Sequence, residues 1–540
     1  MAAQCPQILI VGAGPTGLAA AIELGRRGIR CKIIERSERA GYSPRAKTTH
    51  VRTRELMRMW GIADKLASVA PFGIDYPNDV HYVTRLSGYS LAVFKDALNG
   101  APVRDERYSE HGQWLPQYMV EAVMREHVLS LPTVTLEYGW EFISLDQDEN
   151  QVRARIRSVE SGEERVADCD FLIGADGGRS VVRDQIGSKM LGQHGLSRNY
   201  NIIFEAPELA KAHRHGPGIM YWQVNADCPS VIGPMDKGDL WFFMPWMLPN
   251  DVTLNAVQAA EMIRIATGID SPYRVLSSDE WVASRLVADR HRQGRVFLAG
   301  DACHLHPPLG GFGMNMGVAD GVDLGWKIAA FLQGWGGPAL LDSYEAERQP
   351  THQHVVDEAA RHHATIPNHY IRPALEADTE GGGALREEVG ALIRKQKASE
   401  FYALGIVLGC RYLHSPVIAL EEELPDWRPV TDYEPCAAPG ALAPHGWMED
   451  GRSLYDLFGE GFTLLAFANA SDADIAQAQE DAAVACIPLT VVPLSDTYLA
   501  QLYERCLVLV RPDQYVAWRG DNWLGVDILR HASGLTTQHA

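Results

Sequence analysis

Ile8-Leu9-Ile10-Val11-Gly12-Ala13-Gly14-Pro15-Thr16-Gly17 decides the reading of this chain. Four consecutive apolar residues ending in glycine predict a strand buried on both faces. The three glycines allow a tight turn, close approach of a phosphate to the backbone, and close helix–strand packing, in that order. Residues 18–25 then read as a helix and 31–35 as a second strand, giving a compact βαβ unit. Glu35 ends the second strand about 20 residues beyond the turn, where an acid meets a ribose. Its carboxylate can accept both ribose hydroxyls and would repel a 2′-phosphate. Gly12, Gly14, Pro15, Thr16, Gly17, Glu35 and the adjoining Arg36 are therefore candidate residues for an unphosphorylated adenosine dinucleotide.

Two further glycine-acid segments lie downstream. Asp170-Phe171-Leu172-Ile173-Gly174-Ala175-Asp176-Gly177-Gly178-Arg179 runs from an apolar strand into a turn, with Arg183 close behind. Asp176 can hold that turn while Arg179 or Arg183 meets phosphate, or it can cap the next helix. Val296-Phe297-Leu298-Ala299-Gly300-Asp301 repeats the strand-to-turn pattern. Asp301 can bond a ribitol hydroxyl, and Pro308, Gly311, Gly313, Met314 and Asn315 let the backbone pass a flat ring before a helix begins. The positive end of that helix would stabilise negative charge on a reduced flavin. His304 suits an acid, a base, or a structural histidine in a tight turn. Arg45, in the loop 43–46, can neutralise a pyrophosphate or remain a solvated charge. Gln117, one helical turn before Glu121, can reach a ribityl chain or ring edge. Together these segments predict one long dinucleotide, FAD, gripped by separate parts of one sheet.

The length of 540 residues suggests about two to four domains. A net charge of −20, from 49 basic and 69 acidic residues, opposes binding to nucleic acid or anionic lipid. Nine scattered cysteines without a Cys-x-x-Cys pair fit a reducing cytosol, and no apolar run is long enough to span a bilayer. The expected class is α/β. The dinucleotide domain is discontinuous, over 1–75, 110–190 and 285–365. A β-rich substrate domain occupies 76–109 and 191–284, a helical or linker region 366–430, and a compact α/β domain 431–540.

The set Gly12-x-Gly14-x-x-Gly17, Asp176-Gly177 and Gly300-Asp301, in this order, resembles the class A FAD-dependent monooxygenases. This is the aromatic-ring hydroxylase family that includes phenol hydroxylase and p-hydroxybenzoate hydroxylase. The resemblance covers roughly the first 360 residues. It implies a glutathione-reductase-like Rossmann domain, non-covalent FAD, reduction by NADPH or NADH, and a small aromatic substrate. It further implies that O2 reacts as a flavin C4a-hydroperoxide, and that Asp176 and Arg179 serve both flavin and nicotinamide. The segments 451–459 and 510–513 resemble the thioredoxin-like C-terminal domain of the longer members. Without Cys-x-x-Cys there, packing or homodimer contacts are the expected role.

Lys47 and His50, just past the Arg45 loop, are the candidate catalytic residues, with His50 first. Tyr221, Trp222, Trp241 and Phe243 are candidate walls of an aromatic pocket. The leading reading is hydroxylation of a phenol or phenol-like ring. The alternatives are a flavoenzyme of other chemistry on this fold, or a flavin- or ligand-binding protein without activity. Against the former, no Gly-Trp-x-Trp-x-Ile-Pro, Cys-x-x-x-x-Cys or Phe-x-Gly-x-x-x-His segment is present.

Overall fold

Ile8–Val11 pairs in parallel with Phe171–Gly174 on one side and Cys31–Glu35 on the other. Val296–Leu298 and Val134–Tyr138 extend this order outward, and Arg292–Gln293 closes one edge. The architecture comes from a computed structural model that describes residues 6–38, 46–237, 239–246, 248, 253–422 and 431–535. Ile8 and Ile10 enter a core shared with the helices Pro15–Arg26 and Phe312–Leu332. Leu9 and Val11 enter a second core, beneath the three strands Trp140–Gln147, Val152–Ser158 and Glu164–Cys169. Both faces are covered, which is why the run is apolar without alternation.

The second sheet has eight strands. Its order runs from His304–Leu305 through Arg274–Ala288, Met190–Glu205, Leu240–Pro245, Ser230–Pro234, Met220–Gln223 and Val80–Val83 to Ser90–Phe94. The edge strand His304–Leu305 directly follows the Gly300-Asp301 turn, so the two sheets are joined at the motif itself. Alternation sends Phe204, Tyr221, Ile232, Trp241 and Phe243 to the back face, where Ala259, Ile263 and Ala266 of the helix Ala256–Thr267 cover them. Ile203, Trp222, Val231 and Phe242 point to the front, toward the dinucleotide domain.

Of the two readings of 366–430, helical or linker, the described part takes the helical one. Tyr370, Leu375, Val389, Ile393 and Phe401 pack on the front face, from a segment that includes the helix Glu380–Phe401. Val389 and Ile393 lie one turn apart on that helix, and their stripe has the sheet as its partner. This segment covers the front face of the sheet; residues 423–430 lie outside the described ones.

The last domain is a four-stranded sheet, Leu489–Leu494, Phe462–Phe467, Leu507–Val510 and Val516–Gly520, with helices Asp472–Ala485 and Asp527–Ala532 packed on it. A buried ionic cluster fastens it to the dinucleotide domain. Arg511 bonds Glu347 at 2.7 Å and Asp513 at 2.6 Å, while Lys327 bonds Glu347 at 2.6 Å and Asp323 at 2.9 Å. The cysteines of this domain are free thiols. No described helix is long and apolar enough to cross a membrane.

Candidate active site

The first turn has the shape of a phosphate cradle. Gly12 has φ +107°, and a Cβ there would run into the Ala175 carbonyl. A Cβ on Gly17 would strike the Gly12 carbonyl. Pro15 opens the helix and Gly14 gives no side-chain cap, so the first backbone N–H groups remain available to an anion. Glu35 accepts from Ala13 N at 2.9 Å and Ser37 N at 3.2 Å, which draws the acid onto the turn. Its half-buried carboxylate retains lone pairs for a ribose, beside the exposed Arg36. The Thr16 hydroxyl wedges against Gly300 and Gly317, so this residue joins the first turn to the last.

The middle motif caps a helix. Asp176 Oδ2 accepts from Val181 N at 2.8 Å and Val182 N at 3.1 Å. Its Oδ1 is buried without a partner among the described residues, and burial raises the carboxyl pKa. That orphaned oxygen fits a hydroxyl of a bound cofactor. Arg183 donates to the Gly178 and Ala302 carbonyls, each at 3.2 Å, and so fastens two turns instead of meeting phosphate. Arg179 is exposed.

At the third motif Asp301 is half-buried in the turn, and the Gly300 N–H donates to Asp320 Oδ2 at 2.9 Å. Asp320 also accepts from His304 Nε2 at 3.1 Å, His352 Nε2 at 2.8 Å and Arg348 Nε at 2.8 Å. His304 is thus the structural histidine of the turn. Cys303, His304, Asp320 and His352 approach as metal ligands would. A carboxylate already holding four donors, one of them a guanidinium, makes the cluster a hydrogen-bond hub.

Gly310 and Gly311, at φ +79° and +70°, turn the chain into the helix Phe312–Leu332, which begins without a side-chain cap. Asn315 Oδ1 accepts from His50 N at 2.8 Å, and its Nδ2 donates to Thr48 O at 3.0 Å and Gly311 O at 2.7 Å. His50 Nε2 donates to Gly310 O at 2.9 Å, and its ring stacks on Phe312 at 5.5 Å. Burial pushes His50 down to about 4, which leaves it neutral. It lines an interdomain cavity of about 80 Å³ with Leu56, Val355, Tyr412 and Tyr515. The sequence nominates His50 for catalysis; its ring instead buttresses the glycine turn, because the Gly310 carbonyl is its nearest acceptor. The Met314 side chain is in the Rossmann core, which leaves its backbone to face a cofactor. Pro308 is exposed, and Gly313 faces His306.

Gln117 spends its amide locally: Oε1 accepts from Ala46 N at 3.1 Å and Nε2 donates to Glu121 at 2.8 Å. It anchors the chain leaving the Arg45 loop, and Arg45 itself lies outside the described residues. Two residues on, Lys47 Nζ stands 4.3 Å over the Phe242 ring, between the dinucleotide domain and the front of the sheet. Burial pushes Lys47 down to about 8.

Of the four aromatic residues nominated from sequence, Trp222 alone shares the front face of the sheet with Phe242. Tyr221, Trp241 and Phe243 belong to the back-face core, the Tyr221 hydroxyl donating to Gly216 O at 2.6 Å. A strand shows alternate residues to one face, so a segment with aromatics at 241, 242 and 243 must divide them. Phe242, Tyr82, Trp114 and Trp246 are the front-face aromatics that sequence reading missed. The alternation was visible; its absolute phase was not.

The FAD binding domain family model matches residues 6–359, and the aromatic-ring hydroxylase C-terminal model matches residues 437–537. The FAD-dependent monooxygenase apdD of Emericella nidulans is 30% identical over 98% of this chain and 91% of its own length. Tetracenomycin B2 monooxygenase-dioxygenase of Streptomyces olivaceus is 31% identical over 95% of each chain. The structure of the rebeccamycin biosynthetic enzyme RebC with reduced flavin aligns with TM-score 0.90 at 32% identity, covering 98% of this chain and 99% of that one.

Proposed function

This chain belongs to the FAD-dependent aromatic-ring hydroxylases, and from that premise we propose that it hydroxylates a phenolic ring, with NADPH or NADH as reductant and O2 as oxidant. The ring lies between the Gly310-Gly311 turn and the front face of the eight-stranded sheet. Bound FAD supplies the electron transfer and the activation of O2. Gly12, Gly14 and Gly17 hold its pyrophosphate, Glu35 its adenosine ribose, and Asp176 Oδ1 and Asp301 its ribityl side. Asn315 and His50 fix the turn beside the flavin ring.

The observation that carries the reading is Lys47. Its ammonium enters the cleft over Phe242, with a pKa lowered to about 8 by burial. A cation there stabilises a phenolate oxygen, and ionisation raises electron density ortho and para to it. Phe242 and Trp222 form an apolar wall that excludes water from the reacting ring.

A panel of phenols tests this by ligand-stimulated NAD(P)H oxidation, O2 uptake and product mass. The expected result is coupled consumption and a gain of one oxygen atom. Oxidation that no phenol stimulates, or that yields hydrogen peroxide alone, overturns it.

A further inference from the structure

A cavity of about 80 Å³ lies between the dinucleotide domain and the C-terminal part of the chain, behind the glycine turn. Helical spacing builds its near wall. Phe312, Met316, Ala319 and Val322 repeat every three or four residues along one face of the helix Phe312–Leu332. Val355 of the helix Pro338–His363 and Ile406 of the helix Leu404–Leu408 also line the space. Tyr412 and Tyr515, stacked at 4.2 Å, line it on the side of the C-terminal domain.

The charged groups of the wall are turned to protein partners. Arg348 donates to Asp320 at 2.8 Å, and Arg52 to the Asp513 carbonyl at 2.7 Å. Asp323 accepts from Lys327 at 2.9 Å, and Asp513 from Arg511 at 2.6 Å. A buried water needs about two to four polar partners. This wall offers mainly aliphatic and aromatic carbon instead, so the space suits an apolar guest. An apolar cavity of about 150 Å³ takes benzene or xenon. At about half that volume, this one excludes an aromatic ring and admits a diatomic molecule.

One side chain stands between the cavity and the turn. His50 lines the cavity, donates to the Gly310 carbonyl at 2.9 Å and stacks on Phe312, which lines it too. The hydroxylase reading seats the aromatic ring on the other side of the turn, against Phe242. With that side filled and water excluded, the direct approach left to a small oxidant is from behind.

We propose, building on the hydroxylase reading above, that the interdomain cavity is a binding site for dioxygen on its way to the flavin. The stacked pair of His50 and Phe312 is the partition the gas crosses. Tyr412 and Tyr515 wall the site on its far side, which gives the C-terminal part of the chain a place in the reaction. Size and apolarity select the guest, so xenon is its probe.

Two measurements on the FAD-loaded protein test this. Crystals pressurised with xenon should hold an atom among Phe312, Ala319 and Val355. Ala319→Leu and Val355→Phe fill the space from two walls, and each should remove that atom. In stopped flow, photoreduced flavin is mixed with O2 without NAD(P)H or any aromatic. The flavin gives up two electrons and two protons, and O2 leaves as hydrogen peroxide. Each filled variant should slow this reoxidation several-fold, with FAD content, flavin midpoint potential and melting temperature as in the wild type. Val355→Ala, which enlarges the space, should not slow it. A wild-type cavity without xenon, or reoxidation at the wild-type rate in both filled variants, would overturn the proposal. So would equal slowing in Val355→Ala, or slowing that comes with a shifted potential, since either places the effect in the turn itself. No aromatic enters the assay, which separates the two readings. Slowed reoxidation in a protein that hydroxylates no phenol keeps the dioxygen site and removes hydroxylation; phenol hydroxylation with unslowed reoxidation does the reverse.

Discussion

Lys47 is the residue on which the proposed chemistry turns, and its titration gives it a direct test. The ammonium is charged below about 8 and neutral above it. The KM for a phenolic substrate should therefore rise as pH is taken from 7 through 9. Lys47→Met, which loses a charge-assisted contact of about 1.5–3 kcal/mol, should raise KM roughly tenfold or more at pH 7 and flatten that profile. A wild-type KM that ignores pH would remove Lys47 from the site. Asp301→Ala tests the flavin grip: FAD retained through gel filtration should drop, with FAD affinity down roughly tenfold. Full occupancy after purification would exclude Asp301 as a ribityl acceptor.

At the level of elements, the glycine turn before the helix Phe312–Leu332 is held from below. Asn315 makes three hydrogen bonds to the turn and to the segment Thr48–His50, and His50 adds a fourth. Asn315→Ala and His50→Phe should both weaken FAD binding and lower the melting temperature. Because His50 is neutral above about 4, its loss should leave the pH profile of kcat between 6 and 8 in place. A profile that loses its basic limb in His50→Phe would restore His50 as a catalytic base. The same scale shows why the pocket aromatics were misassigned. Tyr221 and Trp222, or Phe242 and Phe243, are equally apolar in sequence. Only the helices Ala256–Thr267 behind and Glu380–Phe401 in front distinguish the two faces.

For the whole molecule, the C-terminal domain acts as a clasp. Arg511 reaches Glu347 and Asp323 on the helices of the dinucleotide domain while bonding Asp513 of its own turn. Removing one partner of such a buried cluster strands the others, at a cost of about 3–5 kcal/mol. Arg511→Met should lower the urea midpoint accordingly; an unchanged midpoint would make the cluster incidental. Burial opposes ionisation of Glu347, yet Arg511 and Lys327 outweigh it and hold the carboxyl near 2. A depressed carboxylate stabilises the fold above its ordinary range, and that contribution is lost as pH falls toward 2. The variant should therefore lose part of the wild type's acid sensitivity between about 4.5 and 2.

What the sequence alone determined was the α/β class, the discontinuous dinucleotide sheet and the FAD turns. These depend on local rules: an apolar run before glycines, an acid at a strand end, a turn before a helix. Tertiary structure decided what had no local marker. It assigned Asp176 to a helix cap and His50 to the underside of a turn, phased the aromatic strands, and packed the helical segment within 366–402 on the front face of the sheet. A side chain's identity fixes what it can do, but which partner it meets depends on packing between segments hundreds of residues apart, and no single stretch of sequence records that.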